Sequence, residues 1–164
     1  MFYTGSNKPI EFDNIPDALL IFYTKMKDYD SQYDIIIGTD SQNFHDTKIV
    51  SVIAMICQGH GGIFFYRISH EPKIRNVKQK LHKETGDSLT LAYELIDMLE
   101  AEEKYEDMYL SCPISIHIDA GNSKRGKTRE LIPELIGWVN ACNFKACVKP
   151  DSFVSSSIAD RISK

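Results

Sequence analysis

The sequence predicts an α/β domain with a mixed five-stranded sheet and helices packed on both faces of that sheet. Three runs rich in β-branched and aromatic residues, at 34–40, 48–57 and 63–69, are separated by short polar or glycine-containing turns. Short turns of this kind are typical of antiparallel neighbours. Helical and strand patterns alternate in the rest of the chain, which favours parallel strands joined through helices. We therefore expect three antiparallel strands followed by parallel strands.

Helical patterns cover four segments of the chain. The first helix begins near Asn14, has Pro16 in its first turn and ends in the polar stretch 27–31. The later elements, in order, are a helix over about 76–103, a strand over 114–119, a helix over 128–141, a strand over 144–149 and a weakly patterned helix over 152–164.

Size and composition indicate one globular domain. The chain has 164 residues, of which 43% are hydrophobic and 26% are charged, and such values are ordinary for a folded domain. We assign 1–164 to this domain, with 1–31 as an N-terminal helical extension and 32–164 as the core. No signal peptide or membrane-length apolar run is visible, and the four cysteines lack zinc-site spacing. These features predict a cytoplasmic protein with reduced thiols.

Three aspartates come directly after predicted strands: Asp40, Asp119 and Asp151. In open α/β sheets, ligands bind in the crevice outside the carboxyl ends of the strands. Converging carboxylates repel one another unless a cation neutralises them, and such oxygen ligands suit Mg²⁺ or Mn²⁺. Aspartate is also a common turn residue, so any single one is readily structural. The three together favour a metal site.

A fourth acid is predicted on the long helix. Apolar residues recur along this helix at spacings of three, four and seven, and Glu84 falls on their stripe. A helix break at Gly86 would change this phase. Four carboxylates can hold two divalent ions about 4 Å apart, of which one activates water and the other stabilises the leaving oxygen of a phosphodiester.

Two basic segments flank these acids, although the net charge is −4: the first is 73–83, before Glu84, and the second is 124–129, after Asp119. Lysine and arginine beside an acidic site are typical of contacts to a nucleic-acid backbone. Solvated helix faces are the alternative interpretation. The candidate backbone contacts are Lys83, Lys124, Arg125, Lys127 and Arg129.

The second basic segment also matches a nucleotide-binding motif. Residues 121–128, GNSKRGKT, have the form GxxxxGK[ST] between a predicted strand and a predicted helix. Only 36 residues follow Thr128, too few for the further strands that a P-loop fold needs. A basic turn at a helix N-terminus binds a polynucleotide phosphate by the same physics. We favour that interpretation and keep a P-loop nucleotide-binding protein as an alternative.

Four segments resemble one known family, the YkuK-type bacterial proteins, which are classed as predicted ribonuclease H-like proteins. The similarity extends from Tyr33 to Lys164. The segments are IIIGTDSQ (35–42), HKETGDSLTLA (82–92), HIDAGNSKRGKTRELI (117–132) and KPDSFVSSSIADR (149–161).

This resemblance implies the ribonuclease H-like fold and metal-dependent cleavage of phosphodiester bonds. Asp40, Glu84 and Asp119 match the acids of that superfamily on the first strand, the first long helix and the fourth strand. Asp151 and Asp160 compete for the fourth place, and we prefer Asp151 because it directly follows the fifth strand. The leading hypothesis is therefore a Mg²⁺- or Mn²⁺-dependent nuclease acting on RNA, DNA or a hybrid. A non-catalytic nucleic-acid-binding or interaction domain on the same scaffold is the alternative.

Overall fold

The computed structural model describes residues 1–121 and 128–152. Its helices are α1 (Ile15–Met26), α2 (Val77–Glu100), α3 (Glu106–Ser111) and α4 (Ile132–Ala141), with short 3₁₀ turns at Phe12–Asn14 and Glu103–Tyr105. Its strands are β1 (Phe2–Thr4), β2 (Pro9–Ile10), β3 (Tyr33–Asn43), β4 (Thr47–Cys57), β5 (Gly61–Glu71), β6 (Ile114–Gly121) and β7 (Lys145–Lys149).

One mixed sheet organises the described part of the chain, with the strand order β2-β1-β5-β4-β3-β6-β7. Strands β3, β4 and β5 form an antiparallel meander. Strand β6 runs parallel to β3, and β7 runs parallel to β6. The expected change from antiparallel to parallel pairing is confirmed.

The described sheet has seven strands, so the prediction of five was wrong. The two additional strands, β1 and β2, precede α1, and β1 pairs antiparallel with β5. The expected helical extension over 1–31 is therefore partly sheet. Phe2 is buried, and Tyr3 stacks on Tyr66 with 5.6 Å between ring centroids. Strands of three and two residues are too short for an alternating pattern to predict them. Aromatic packing between β1 and β5 helps to hold β1 in the sheet instead.

The main core lies between one face of the sheet and helices α1, α2 and α4. Leu19, Leu95 and Leu135 are fully buried there against Ile35 and Ile37 of β3. Burial of such side chains is the largest favourable contribution to folding.

The opposite face of the sheet carries a smaller cluster. Its buried members are all strand residues: Ile36, Val50, Val52, Ala54 and Tyr66. In the described ranges, helices therefore pack against one face, whereas we expected them on both. The helix expected over 152–164 lies, from residue 153 onward, outside the described residues.

Helix α2 is continuous through Gly86. The side chain of Asn76 caps it by accepting a hydrogen bond from the backbone N of Gln79 at 3.1 Å. A Cβ at Gly86 would lie 3.3 Å from the Trp138 ring of α4, so glycine permits close packing of the two helices. Because the helix does not break, Glu84 keeps the buried orientation that its stripe predicts.

The helix boundaries differ modestly from those expected. Helix α1 ends at Met26 and α2 ends at Glu100. The helix expected over 128–141 is α4, which begins at Ile132 after a turn at 128–130. Among the residues that the structure describes, no helix is both long and apolar enough to span a membrane.

Candidate functional site

The carboxyl ends of β3 and β6 bring Asp40 and Asp119 together. Thr39 and Ile118 are partners in the parallel pairing of these strands, and the two aspartates are the next residue on each strand. Because side chains alternate between the faces of a sheet, Asp40 and Asp119 project from the same face. Asp40 is half-buried, and the side chain of Asp119 is 13% exposed.

Glu84 reaches the same end of β3 from helix α2 and is 5% exposed. The hydroxyl of Ser41 donates a hydrogen bond to Glu84 Oε1 at 2.6 Å, and the backbone N of Ser41 donates to Asp40 Oδ1 at 2.8 Å. Ser41 therefore joins the two carboxylates. The sequence analysis did not identify Ser41. Its position directly after Asp40 places its side chain on the opposite face of β3, where it contacts Glu84 of α2.

The electrostatic environment disfavours ionisation of two of these carboxyl groups. Burial raises the pKa of Asp40 to about 6, and the negative charge of Asp119 adds to the effect. Burial raises the pKa of Glu84 to about 8, and the charges of Asp40 and Asp119 contribute, while the Ser41 hydrogen bond and Lys80 oppose the rise. The three acids are thus close enough to repel one another. A cation placed between them would relieve this repulsion.

Two lysines stand beside these acids. Lys149, the last residue of β7, places its Nζ against Asp119 Oδ1. Lys80 lies one turn before Glu84 on α2, with 4.0 Å between its Nζ and Glu84 Oε1. The pairing of Lys149 with Asp119 could not be predicted from the sequence, because it depends on the tertiary fold. Lys80 belongs to the basic segment before Glu84, and a spacing of four residues on one helix predicts its contact with that acid.

The donor set fits a hard divalent cation, since all three acids offer carboxylate oxygens. Within residues 1–121 and 128–152, however, no three His, Cys, Asp or Glu side chains are arranged to enclose a metal ion. Lysine amines lie beside two of these carboxylates, Glu84 and Asp119.

Asp151 lies in the exposed turn after β7. Its described contacts do not involve Asp40, Glu84 or Asp119. Its backbone N donates to the carbonyl of Val148 at 2.9 Å. Burial raises the pKa of the Cys147 thiol, and the charge of Asp151 adds to that rise. The competing residue, Asp160, lies outside the described residues.

His117 lies on the same face of β6 as Asp119, whereas Ile116 and Ile118 lie in the core on the other face. It lines a pocket together with Asp34, Cys147 and Asp151. His117 is 4% exposed, and burial lowers its pKa to about 4. The imidazole is therefore neutral at ordinary pH.

The predicted nucleic-acid contacts are only partly described. Lys83 pairs with Glu71 at 2.9 Å and with Asp87 at 2.7 Å, and Arg129 is exposed in the turn before α4. Lys124, Arg125 and Lys127 lie outside the described residues, as do residues 122–127 of the nucleotide-binding motif.

Comparison with known families identifies the class of protein. The ribonuclease H-like family model matches residues 19–164, and the chain belongs to that family. A curated relative, the "Uncharacterized protein YkuK" of Bacillus subtilis (strain 168), is 29% identical over 172 residues, an alignment that covers 100% of this chain and 97% of that protein. The resemblance to YkuK-type proteins is confirmed.

One solved structure also matches at low similarity. It is described as "Structure of Mos1 transposase catalytic domain and Raltegravir with Mg", and it is 11% identical with a TM-score of 0.32, covering 96% of this chain and 76% of that one. Such a TM-score is too low to support an inference about this chain.

Proposed function

We propose that this protein is a Mg²⁺- or Mn²⁺-dependent nuclease that hydrolyses phosphodiester bonds of RNA, DNA or a hybrid in the cytoplasm. One observation carries the proposal. Carboxylates from β3, α2 and β6 lie near the same end of the sheet, where burial and mutual repulsion raise the pKa of Asp40 and of Glu84. Carboxyl groups with strongly raised pKa values that cluster at the end of neighbouring strands are typical of functional sites.

The acids have distinct roles in this proposal. Asp40, Glu84 and Asp119 hold the metal, and Asp151 is the fourth ligand, with Asp160 as its competitor. Bound divalent ions supply an activated water and stabilise the leaving oxygen. Ser41 orients the carboxylates of Asp40 and Glu84 through its two hydrogen bonds.

The nucleic-acid backbone lies along the basic residues that flank these acids in the sequence. Cationic side chains bind phosphates without reading the base sequence. The proposed contacts are Lys83, Lys124, Arg125, Lys127 and Arg129.

A non-catalytic nucleic-acid-binding domain is the second candidate. The observation that favours it is the pairing of Asp119 with Lys149 and of Glu84 with Lys80, since internal cations can replace a metal and leave a binding scaffold. Nucleotide binding at 121–128 is a weaker third candidate.

A cleavage assay separates the first two candidates. Labelled RNA, DNA and hybrid substrates are incubated with the protein in Mn²⁺, Mg²⁺ or EDTA. We expect metal-dependent cleavage by the wild type, loss of cleavage in Asp40→Asn, and unchanged cleavage in Asp97→Asn, which alters an exposed aspartate of α2. Metal-independent binding without cleavage of any of the three substrates would favour the binding domain instead.

A further inference from the structure

The contact between Lys149 and Asp119 connects the edge strand β7 with the proposed metal site. The Nζ of Lys149 lies against Asp119 Oδ1, and the lysine side chain is 45% exposed whereas that of Asp119 is 13% exposed. The lysine thus enters from solvent and ends on a mostly buried carboxylate. The positive charge of Lys149 also acts on Asp40.

The fold places Lys149 at this point. Strand β7 pairs with β6 in parallel, and an irregularity in the register between Ile118 and Gly121 opposes Lys149 to Gly121. Alternation along β7 puts Lys145 and Lys149 on one face. Lys145 pairs with Ser115 near the start of β6, at the far end of that strand from Asp119. Lys145 and Lys149 therefore share one face of β7, but Lys149 contacts Asp119 whereas Lys145 lies at the other end of the strand.

Charge balance explains why a lysine stands beside these acids. Burying a carboxylate away from water is unfavourable unless a positive charge nearby compensates for the lost hydration. Lys149 supplies this charge to Asp119. A divalent cation bound by Asp119 would compete with the ammonium of Lys149 for the same oxygen and would repel that ammonium.

We infer that Lys149 is the internal counter-ion of the carboxylate site, holding Asp119 when no metal is bound and leaving it when a divalent cation binds. Lys149 therefore sets the metal affinity of the site and is a positioning residue. This inference rests on the proposed metal-dependent function. Lys149 is not one of the proposed metal ligands, and it regulates how tightly the site binds a divalent cation.

Metal affinity tests the inference directly. Mn²⁺ is titrated calorimetrically into the wild type, Lys149→Met and Lys145→Met. We expect about a tenfold gain in Mn²⁺ affinity for Lys149→Met, because a competing and repelling charge is removed. We expect no change for the matched control Lys145→Met. Lys149→Arg, which keeps the charge, should stay within about twofold of the wild type.

A second measurement covers the case in which Lys149→Met does not fold. The wild type is treated with an amine-acetylating reagent with and without Mn²⁺, and modification of each lysine is quantified by mass spectrometry. Release from Asp119 should increase acetylation of Lys149 several-fold on addition of Mn²⁺, while that of Lys145 stays constant.

The outcomes separate this inference from the proposed function. Mn²⁺ binding by the wild type with equal or weaker binding by Lys149→Met would overturn the counter-ion role and leave the metal site standing. Mn²⁺ binding by the wild type with unchanged acetylation of Lys149 would do the same. Absence of Mn²⁺ binding in the wild type and in all folded variants would overturn both. Binding by Lys149→Met alone would support the inference most strongly.

Discussion

Replacing Glu84 by glutamine removes a carboxylate that the fold makes difficult to ionise. Glu84 is 5% exposed, and burial raises its pKa from 4.5 to about 8. In the unfolded chain the carboxyl group ionises near 4.5, whereas in the folded chain it holds its proton until about pH 8. The folded state therefore binds more protons between these values, and the free energy of unfolding falls as pH rises through this window.

The magnitude follows from the size of the shift. Each pKa unit corresponds to 1.36 kcal/mol, so a rise from 4.5 to about 8 destabilises the ionised protein by as much as about 5 kcal/mol. Glutamine carries no charge at any pH, and its side-chain oxygen can still accept the hydrogen bond from Ser41. Glu84→Gln should therefore be stabilised relative to the wild type by several kcal/mol at pH 9 and by little at pH 4.5.

The assay is equilibrium urea unfolding in EDTA at intervals from pH 4.5 to 9. The difference in unfolding free energy between Glu84→Gln and the wild type should grow steadily through the window. Glu94→Gln is the matched control, because Glu94 lies on the same helix and is exposed, and its difference should stay flat. A Glu84→Gln difference that changes by less than about 1 kcal/mol across this range would refute the burial argument.

Three further predictions concern Ser41, His117 and the hydrophobic core. Ser41→Ala removes the 2.6 Å hydrogen bond to Glu84, and urea unfolding should show a loss of about 1–3 kcal/mol that is larger at pH 9 than at pH 5, because an ionised carboxylate accepts the stronger bond. His117 should stay neutral from pH 5 to 8, since burial lowers its pKa to about 4; an NMR titration with a midpoint near the ordinary value of 6.5 would contradict this. Leu95→Ala, at a fully buried position of α2, should cost about 3 kcal/mol in thermal or urea unfolding, whereas Leu110→Ala, at a side chain that is 75% exposed, should cost less than about 0.5 kcal/mol.

The central strands and the long helix could be predicted because each carries a strong local pattern. The β-branched runs at the start of the sheet become β3, β4 and β5, and the apolar stripe of α2 predicts the burial of Glu84. Strands β1 and β2 have too few residues for a pattern, and their pairing at the edge of β5 depends on contacts across the fold.

The same distinction applies to the site. Asp40 and Asp119 could be predicted because each follows a β-branched run, although the strands continue past them to Asn43 and Gly121. Their repulsion follows from the parallel pairing of those strands. The roles of Ser41 and Lys149 could not be predicted, because a hydrogen bond to a helix and an ion pair between strands require the assembled tertiary structure. Asp151 follows its strand as expected, yet its described electrostatic interaction is with Cys147 and not with the other three acids.

Diffraction at the manganese absorption edge, from crystals grown with Mn²⁺, tests the carboxylate site most directly. We expect an anomalous peak from a manganese ion coordinated by carboxylate oxygens of Asp40 and Asp119, with the ammonium of Lys149 moved away from Asp119. A peak confined to other positions, such as the pocket lined by Asp34 and Asp151, or the absence of any peak between Asp40 and Asp119 at saturating Mn²⁺, would contradict it.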